Sequence, residues 1–295
     1  MFPNPFQYYA PHSLDEIFQL LEKYGDEAKL LAGGQSLLPM MKLRLAAPSV
    51  LIDVNGISQW ANVNAQDQSL QIGALMRHRD WEHALDSRVP LLHSTAVHIA
   101  DPLVRNRGTM AGSLAHADPA ADWGAALLAL KASVAIQSAH RLREVPLREF
   151  FVDTFTTVLE PQELLTEIRI PLPQNDAFVG ARYFKLERKV GDFAVVGVAV
   201  TVVLNPEGVV TDAGIGLAAV GATPLAAVNA ESLLRGQRLT LDLVQEAASE
   251  AAKESDPITD RRGSEDYKRA MVNVFVKRGL TAVHKDWQLQ MDISA

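Results

Sequence analysis

The chain has 295 residues and no cysteine. Without thiolates it cannot hold an iron–sulfur cluster by cysteine ligands, form a disulfide or use a thiol nucleophile. Its N-terminus also lacks the basic and apolar regions of a signal peptide. Because both absences are typical of a protein in a reducing compartment, we expect a cytoplasmic location.

The chain also lacks a basic excess and a long apolar run. Lys and Arg number 28 against 35 Asp and Glu, which gives a formal net charge of −7. Nucleic acids and anionic membranes bind basic surfaces, so neither is expected as the main partner. The most apolar stretch, Phe193 to Leu204, is too short to span a bilayer as a helix, so no membrane span is expected.

Several catalytic signatures are missing as well. The eight histidines include no H-x-x-x-H pair for zinc, and neither G-x-S-x-G nor a P-loop occurs. The segment "GIGLAAVG", residues 214–221, resembles a dinucleotide fingerprint only superficially. Its spacing is G-x-G-x4-G and it lies within a predicted strand, so we interpret it as strand and turn.

Strand and helix patterns alternate along the chain and predict an α+β protein. The predicted strands are Ala28 to Ala32, Val50 to Val54, Leu70 to Met76, Ser133 to Gln137, Leu164 to Ile170, and three in 181–189, 193–204 and 209–222. The predicted helices start with a capping box at Ser13 to Glu16 and continue at about Asp80 to Ala100, Ala120 to Lys131, Leu225 to Leu234, Leu241 to Lys253 and Ser264 to His284. We expect three parts, residues 1–57, 58–174 and 175–295, with the last boundary in the proline-containing segment 170–176.

A glycine-rich stretch follows the first predicted strand. In "LLAGGQSLLPMMKLRL", Leu30 to Leu45, an apolar run enters Gly33-Gly34 and a helix-like face begins almost at once. A loop of this kind brings backbone N–H groups close to a ligand, and a phosphate suits them best. A simple tight turn is the alternative. We call residues 32–37 the first glycine loop.

A second loop of similar character lies in "DPLVRNRGTMAGSLAHADPAAD", Asp101 to Asp122. Gly108 and Gly112 bracket Thr109, and Ser113 follows. Two such loops suit a long ligand with a diphosphate in its middle. Asp118 and Asp122 flank a predicted helix start, where N-capping is the alternative to a binding role. We call residues 107–113 the second glycine loop.

These motifs together resemble one family. "LAGGQSLLPMMKLRLA", "VLIDVNGI", "IADPLVRNRGTMAGSLAHADPAAD", "ELLTEIRIPLP", "FKLERKVGDFAVV" and the C-terminal "GSEDYKRAMVNVFVKRGL" are similar to the FAD-binding medium subunit of molybdenum hydroxylases. That family includes carbon monoxide dehydrogenase flavoproteins and the flavin domain of xanthine dehydrogenase. The resemblance implies a two-subdomain FAD-binding domain of the PCMH type, followed by a C-terminal antiparallel sheet with a helical layer.

The resemblance also implies which residues bind FAD. The residues carried over by motif are Leu31, Ala32, Gly33, Gly34, Gln35, Ser36, Leu37, Ile99, Thr109, Ala111, Gly112, Ser113, Asp122, Leu165 and Lys185. Ile99 matches the position that the family places against the isoalloxazine ring. The segment from Lys185 to Asp192 is placed near the flavin, where it would control access of the acceptor.

One position departs from the family pattern. The second loop usually has T-I-G-G, and this chain has Thr109-Met110-Ala111-Gly112. If position 111 requires a positive φ, Ala111 costs about 1–2 kcal/mol of backbone strain. If its φ is negative, the change is close to neutral.

The implied function is electron transfer within a larger enzyme. Partner subunits would carry the [2Fe–2S] clusters and the molybdopterin centre, and electrons would leave this chain to an external acceptor. A dimer of heterotrimers is the expected assembly. No side chain of this chain is expected to be catalytic, because the flavin supplies the redox chemistry. A stand-alone FAD-dependent oxidoreductase of the same wider fold is the alternative, and the substrate of the complex is left open.

Overall fold

The structure is a computed structural model that describes residues 2–66, 68–83, 88–173 and 177–294. Its strands form three larger sheets, one after another along the chain, and one short hairpin. In the described part of the chain, no helix is both long enough and apolar enough to cross a membrane. The predicted α+β class is confirmed, whereas the bounds 1–57, 58–174 and 175–295 stay a prediction.

The first sheet is parallel and has the order β1-β3-β2. Its elements are β1 (Gln7–Tyr9), α1 (Leu14–Tyr24), β2 (Ala28–Leu31), α2 (Leu37–Lys42) and β3 (Val50–Asp53). Ser13 caps α1 as predicted, because its hydroxyl accepts from the Glu16 N–H at 3.3 Å. The Glu16 carboxylate reaches one residue further than a capping box requires and accepts from the His12 N–H at 2.8 Å.

The second sheet is antiparallel, with the order β4-β5-β10-β6-β7. Its strands, with the β8–β9 hairpin, are β4 (Val63–Gln66), β5 (Ser69–Gly73), β6 (Ser133–Gln137), β7 (Leu142–Pro146), β8 (Phe151–Asp153), β9 (Thr156–Thr157) and β10 (Leu164–Pro171). The helices of this region are α3 (Pro90–Ala96), α4 (Pro102–Arg105), α5 (Met110–His116), α6 (Asp122–Ala129) and α7 (Leu147–Phe150).

The helical region predicted from about Asp80 to Ala100 is helical in two separate pieces in the described residues. A 3-10 turn at His78–Trp81 precedes α3, and residues 84–87 of the predicted span lie outside the described residues. Pro90 begins α3 because its missing N–H suits the first helical turn. At the other end, Ala100 has a φ of +44°, which no α-helix accommodates.

The third sheet is antiparallel with the order β11-β12-β13-β14, and three helices accompany it. Its elements are β11 (Phe178–Leu186), β12 (Val196–Leu204), β13 (Val210–Ala218), β14 (Leu225–Ala226), α8 (Val228–Leu234), α9 (Leu241–Glu254) and α10 (Glu265–Ser294). The helix predicted from Leu225 is wrong in its first turn, since residues 225–226 pair with β13 before α8 begins. Residues 174–176 of the predicted proline-containing boundary lie outside the described residues.

Helix α6 lies at the centre of the molecule, and all eight of its residues are buried. It packs against β13, where Gly214 and Gly216 of the segment that resembles a dinucleotide fingerprint leave room for the helix backbone. A Cβ added to Gly214 or Gly216 would lie 1.8 Å from the carbonyl oxygen of Ala129 or Ala125, respectively. The interpretation of 214–221 as strand and turn is confirmed, and the glycines allow the helix to approach the sheet backbone.

Candidate cofactor site

The first glycine loop joins β2 to α2 and presents unpaired backbone donors. The N–H groups of residues 33–37 make no hydrogen bond with any residue that the structure describes. Gly34 has a φ of +71°, which favours glycine. The loop is partly exposed, and Ser36 at the start of α2 makes no capping hydrogen bond. A run of free N–H groups of this kind suits an anionic ligand, which agrees with the predicted phosphate-binding role.

The second glycine loop leads into α5 and satisfies more of its own donors. Thr109 is buried, and its hydroxyl accepts from the Gly112 N–H at 3.1 Å. A Cβ on Gly112 would lie 2.6 Å from that hydroxyl oxygen, which explains the glycine there. Ala111 lies inside α5 and has a negative φ, so the conditional strain of 1–2 kcal/mol does not arise. The half-exposed Ser113 stands on the first turn of the same helix.

The two loops meet at their backbones. A Cβ added to Gly33 would lie 2.4 Å from the Arg107 carbonyl oxygen and 2.7 Å from Cα of Gly108. The second loop also pairs with residues 76–78, since the Met110 N–H donates to the Met76 carbonyl at 3.2 Å and the His78 N–H donates to the Gly108 carbonyl at 3.0 Å. Glycine at position 33 is therefore required by the approach of the second loop. The two loops are therefore adjacent, and their convergence on one ligand stays a prediction.

Asp122 and Lys185 form a buried ion pair between α6 and β11. The Lys185 ammonium lies 3.1 Å from an Asp122 oxygen and donates to the His98 carbonyl at 3.0 Å. The Tyr183 hydroxyl donates to the other Asp122 oxygen at 2.6 Å. The Lys185 side chain is only 2% exposed, and Glu187 lies 3.7 Å from its ammonium. This pair connects the FAD-binding half of the chain to the C-terminal sheet.

Burial dominates the electrostatics of that cluster. It raises the pKa of the Asp122 carboxyl, although the Lys185 charge and the Tyr183 hydroxyl act in the opposite direction. Burial, the Asp122 charge and the hydrogen bond to Asp122 raise the pKa of the Tyr183 hydroxyl well above its ordinary value. A lone carboxylate here would be costly, so Lys185 stabilises the charge of Asp122.

Ile99 and Leu165 contribute apolar surface at two other places. Ile99 is 8% exposed, and its carbonyl accepts from Arg105 at 2.8 Å. The β11–β12 hairpin lies over this segment, because a Cβ on Gly191 would be 3.0 Å from the Ala100 carbonyl oxygen. Leu165 is equally buried on β10, the strand against which α5 packs.

All the predicted residues except Leu165 thus form two groups. Residues 31–37 and 107–113 surround the loop contact, whereas His98–Ile99, Asp122 and Lys185 cluster beside the hairpin. Among the described residues, the polar partners of Asp122 and Lys185 are His98, Tyr183 and Glu187, and neither glycine loop is one of them. The assignment of these residues to FAD contacts stays a prediction.

Sequence reasoning missed the buried pair His78 and Trp123 beneath the second loop. The Trp123 indole N–H donates to Nδ1 of His78 at 2.9 Å, so His78 is neutral with its proton on Nε2. Burial lowers the pKa of His78 to about 4, helped by the charges of Arg105 and Arg77. A Cβ on Gly108 would lie 2.5 Å from Nε2, so the imidazole supports the loop directly. The contact spans 45 residues and has no local sequence signal.

Comparison with known proteins agrees with this architecture. The model described as "FAD binding domain in molybdopterin dehydrogenase" matches residues 4–173, and the one described as "CO dehydrogenase flavoprotein C-terminal domain" matches residues 181–283. The carbon monoxide dehydrogenase medium chain of Hydrogenophaga pseudoflava is 41% identical, over 96% of this chain and 98% of that protein. The 6-hydroxypseudooxynicotine dehydrogenase complex subunit alpha of Paenarthrobacter nicotinovorans is 37% identical, over 97% of each chain.

A solved structure gives the same result in three dimensions. A chain of carbon monoxide dehydrogenase from Hydrogenophaga pseudoflava superposes with a TM-score of 0.92 at 42% identity, covering 97% of this chain and 99% of that one. The run of free N–H groups in the first loop and the close backbone contact of the two loops fit the diphosphate of FAD. The chain therefore belongs to the FAD-binding medium-subunit family of molybdenum hydroxylases.

Proposed function

We propose that this chain is the electron-transfer subunit of a heteromeric molybdenum hydroxylase. Electrons would reach it from [2Fe–2S] clusters on a small partner subunit, after substrate oxidation at a molybdopterin centre on a large one. They would leave to an external acceptor, and the assembly would be a dimer of heterotrimers. The two relatives named above are subunits of dehydrogenases for different substrates, which supports this role.

The observation that carries the proposal is the pairing of an FAD domain with a chain that has no cysteine. Bound FAD supplies the redox chemistry, because flavins accept and release electrons in one- or two-electron steps. A chain without thiolates has no cluster of its own to relay those electrons. The residues of the two glycine loops would bind the diphosphate, and Ile99 would pack against the ring.

The isolated chain provides the first test. Acid precipitation should release a yellow compound with the mass of FAD, because the chain has no cysteine for a thioether link and no evident histidine attachment motif. Flavin that stays with the pellet would contradict non-covalent binding.

The isolated holoprotein should show no flavin bleaching with candidate substrates such as carbon monoxide, N-heteroaromatics, purines or aldehydes. Bleaching by one of them would indicate a stand-alone oxidoreductase instead.

Reconstitution provides the second test. Mixed with its iron–sulfur and molybdenum partners, the chain should be reduced by substrate and reoxidised by acceptor, and it should elute at the mass of a dimer of heterotrimers. Sequencing of the chains that co-purify would identify the partners. Failure to co-purify with any iron- or molybdenum-containing chain would remove the subunit role and leave FAD binding intact.

The role of Lys185 in acceptor access needs a paired variant. Lys185→Ala alone would leave the buried Asp122 without its cation, which costs about 3–5 kcal/mol in comparable cases. Lys185→Met with Asp122→Asn removes both charges together and preserves the volume. We expect this double variant to slow reoxidation of the flavin by acceptor more than its reduction through the partner subunits. Equal slowing of both half-reactions would assign the pair a structural role only.

A further inference from the structure

The guanidinium of Arg77 forms hydrogen bonds toward both glycine loops, directly to the second loop and through Asn55 to the first. One terminal nitrogen, Nη1, donates to the carbonyl oxygen of Arg107 in the second loop. The other, Nη2, donates to the side-chain oxygen of Asn55, which follows β3. A planar guanidinium holds two acceptors at a fixed separation, which a flexible ammonium does not. Arg77 therefore connects residues that are 52 positions apart in sequence.

Asn55 extends this connection to the first loop. Its Nδ2 donates to the Ala32 carbonyl at 2.9 Å and to Oδ1 of Asp53 at 2.6 Å. The Asn55 N–H donates to the same Asp53 oxygen at 2.9 Å, and the Tyr8 hydroxyl donates to Oδ2 at 2.6 Å. The amide orientation of Asn55 is thus fixed from both ends: a carboxylate and a carbonyl face its NH₂ group, and a guanidinium faces its oxygen.

Asp53 supplies a charged anchor for this arrangement. Burial raises the pKa of its carboxyl, but the hydrogen bonds from Tyr8 and Asn55 outweigh burial and hold the pKa below its ordinary value. Asp53 is therefore ionised at neutral pH and accepts without donating. An unbroken series of hydrogen bonds runs from the Ala32 carbonyl through Asn55 and Arg77 to the Arg107 carbonyl.

We propose that Asn55 and Arg77 are positioning residues that set the separation of the two glycine loops and thereby the affinity for FAD. Both ends of the series are carbonyls of loop residues: Ala32 directly precedes Gly33, and the Arg107 carbonyl oxygen is the atom that Gly33 approaches. The backbone contact limits how closely the loops approach, and the hydrogen bonds limit how far they separate. The proposal rests on FAD binding by this chain and not on the proposed route of electrons.

The matched variants are Arg77→Met and Arg79→Met. Both remove a guanidinium from the same open groove of about 530 Å³, but the Arg79 side chain is 57% exposed and forms an ion pair with the neighbouring Asp80 at 3.7 Å. FAD is titrated into the full-length apoprotein, and binding is followed by quenching of flavin fluorescence. We expect Arg77→Met to raise the Kd for FAD about tenfold or more, since two hydrogen bonds are lost, and Arg79→Met to change it less than about twofold.

Four further measurements separate positioning from other roles. The thermal midpoint of Arg77→Met apoprotein should fall by only a few degrees, because two hydrogen bonds are lost and the sheets and cores are unchanged. The visible circular dichroism of bound FAD should change. Arg77→Lys keeps the positive charge but loses the two donors that the planar guanidinium holds at a fixed separation. The Kd of this variant for FAD should therefore lie closer to that of Arg77→Met than to that of wild type. In a double-mutant cycle, Asn55→Ala should add little to Arg77→Met.

Several results would overturn the proposal. Wild-type affinity in Arg77→Met would remove the role of the guanidinium, and wild-type affinity in Arg77→Lys would assign the effect to charge alone. Fully additive effects of Asn55→Ala and Arg77→Met would show that the two residues act separately. If Arg77→Met does not fold, Arg77→Gln provides the same comparison, and an apoprotein that is destabilised with unchanged Kd would reduce the pair to a structural role. None of these results would alter FAD binding by wild type.

Discussion

The two glycine loops perform related tasks with different local structure. In the first loop, five consecutive N–H groups have no partner among the described residues, and Gly34 holds a φ of +71°. In the second, the Thr109 hydroxyl accepts from the Gly112 N–H, and the backbone is already helical from Met110. The first loop therefore leaves its donors available to a ligand or to water, whereas the second loop is held by hydrogen bonds within the protein. This difference explains why an alanine at position 111 is compatible with the family fold.

The largest effect is expected at Gly34. Valine there would oppose the positive φ, and its side chain would crowd Leu38, which lies 2.9 Å from an added Cβ. The loop would relax to negative φ and redirect its free donors, so purified Gly34→Val should contain little or no FAD while its far-ultraviolet circular dichroism stays close to wild type.

Gly236→Val is the matched control for that variant. Gly236 has a similar φ of +75°, and an added Cβ there meets nothing within 4 Å. It should lose a similar 1–2 kcal/mol of stability through backbone strain and keep its FAD. Full FAD occupancy in Gly34→Val would mean that the first loop is only a tight turn, and the contrast between the loops would not hold.

Acid should affect the second loop through His78. Its folded pKa of about 4 lies below the ordinary value of 6.5, so the unfolded chain binds the proton first as pH falls. The stability from neutral His78 is fully present above pH 6.5 and is lost progressively toward pH 4. The free energy of unfolding should fall by up to about 3 kcal/mol over that range.

His78→Gln can keep an acceptor for the Trp123 indole and does not titrate. Urea unfolding at pH 6.5, 5.5 and 4.5 should therefore give a shallower pH slope for this variant than for wild type. His140→Gln is the control, because the His140 side chain is 86% exposed. Equal slopes for wild type and His78→Gln would show that other groups govern acid sensitivity.

A smaller effect is expected from the cap of the second loop. Thr109→Val removes the acceptor for the Gly112 N–H, which should cost about 0.5–2 kcal/mol of stability and weaken FAD binding as the first turn of α5 frays. Thr240→Val removes the equivalent cap of α9, where the hydroxyl accepts from Leu243 at 3.2 Å. It should cost about as much stability and leave the Kd for FAD unchanged. Equal Kd values for both variants would contradict a binding role for the second loop.

The smallest effect is expected at Ala111. Because its φ is negative, Ala111→Gly brings no relief of strain and should destabilise the protein by about 0.4–1 kcal/mol through the entropy of the unfolded chain. Melting temperatures with and without added FAD would fall together by a small amount. Tighter FAD binding in Ala111→Gly would show that the second loop is strained after all.

Local patterns were sufficient to predict the elements that frame the site. The strand before Gly33, the helix after Ser36 and the capping role of Ser13 each depend on neighbours within a few residues. The pattern did not show where the helical region at 80–100 begins and ends, because apolar spacing continues across Pro90 and Ala100. Periodicity does not detect the proline start of α3 or the positive φ of Ala100.

The supports of the site could not be predicted in this way. The hydrogen-bonded residues Asn55 and Arg77 are 22 positions apart, and His78 and Trp123 are 45 positions apart. Both separations exceed the window of about 11–18 residues over which periodicity is read. Lys185 was assigned by resemblance, but its burial against Asp122 depends on how β11 packs on α6. Each of these contacts forms only when elements far apart in the sequence pack together.

The packing of α6 bears on the order in which the chain can fold during synthesis. Every residue of this helix is buried, and its carbonyl oxygens lie against the glycines of β13, which the ribosome makes about 90 residues later. The apolar core around α6 includes Ala181, Ala199 and Ala218 from the C-terminal sheet. A nascent chain ending near residue 173 would therefore have both glycine loops and yet leave an apolar helix in contact with water. Stable retention of FAD should begin only after β13 has left the exit tunnel, when that helix is finally covered.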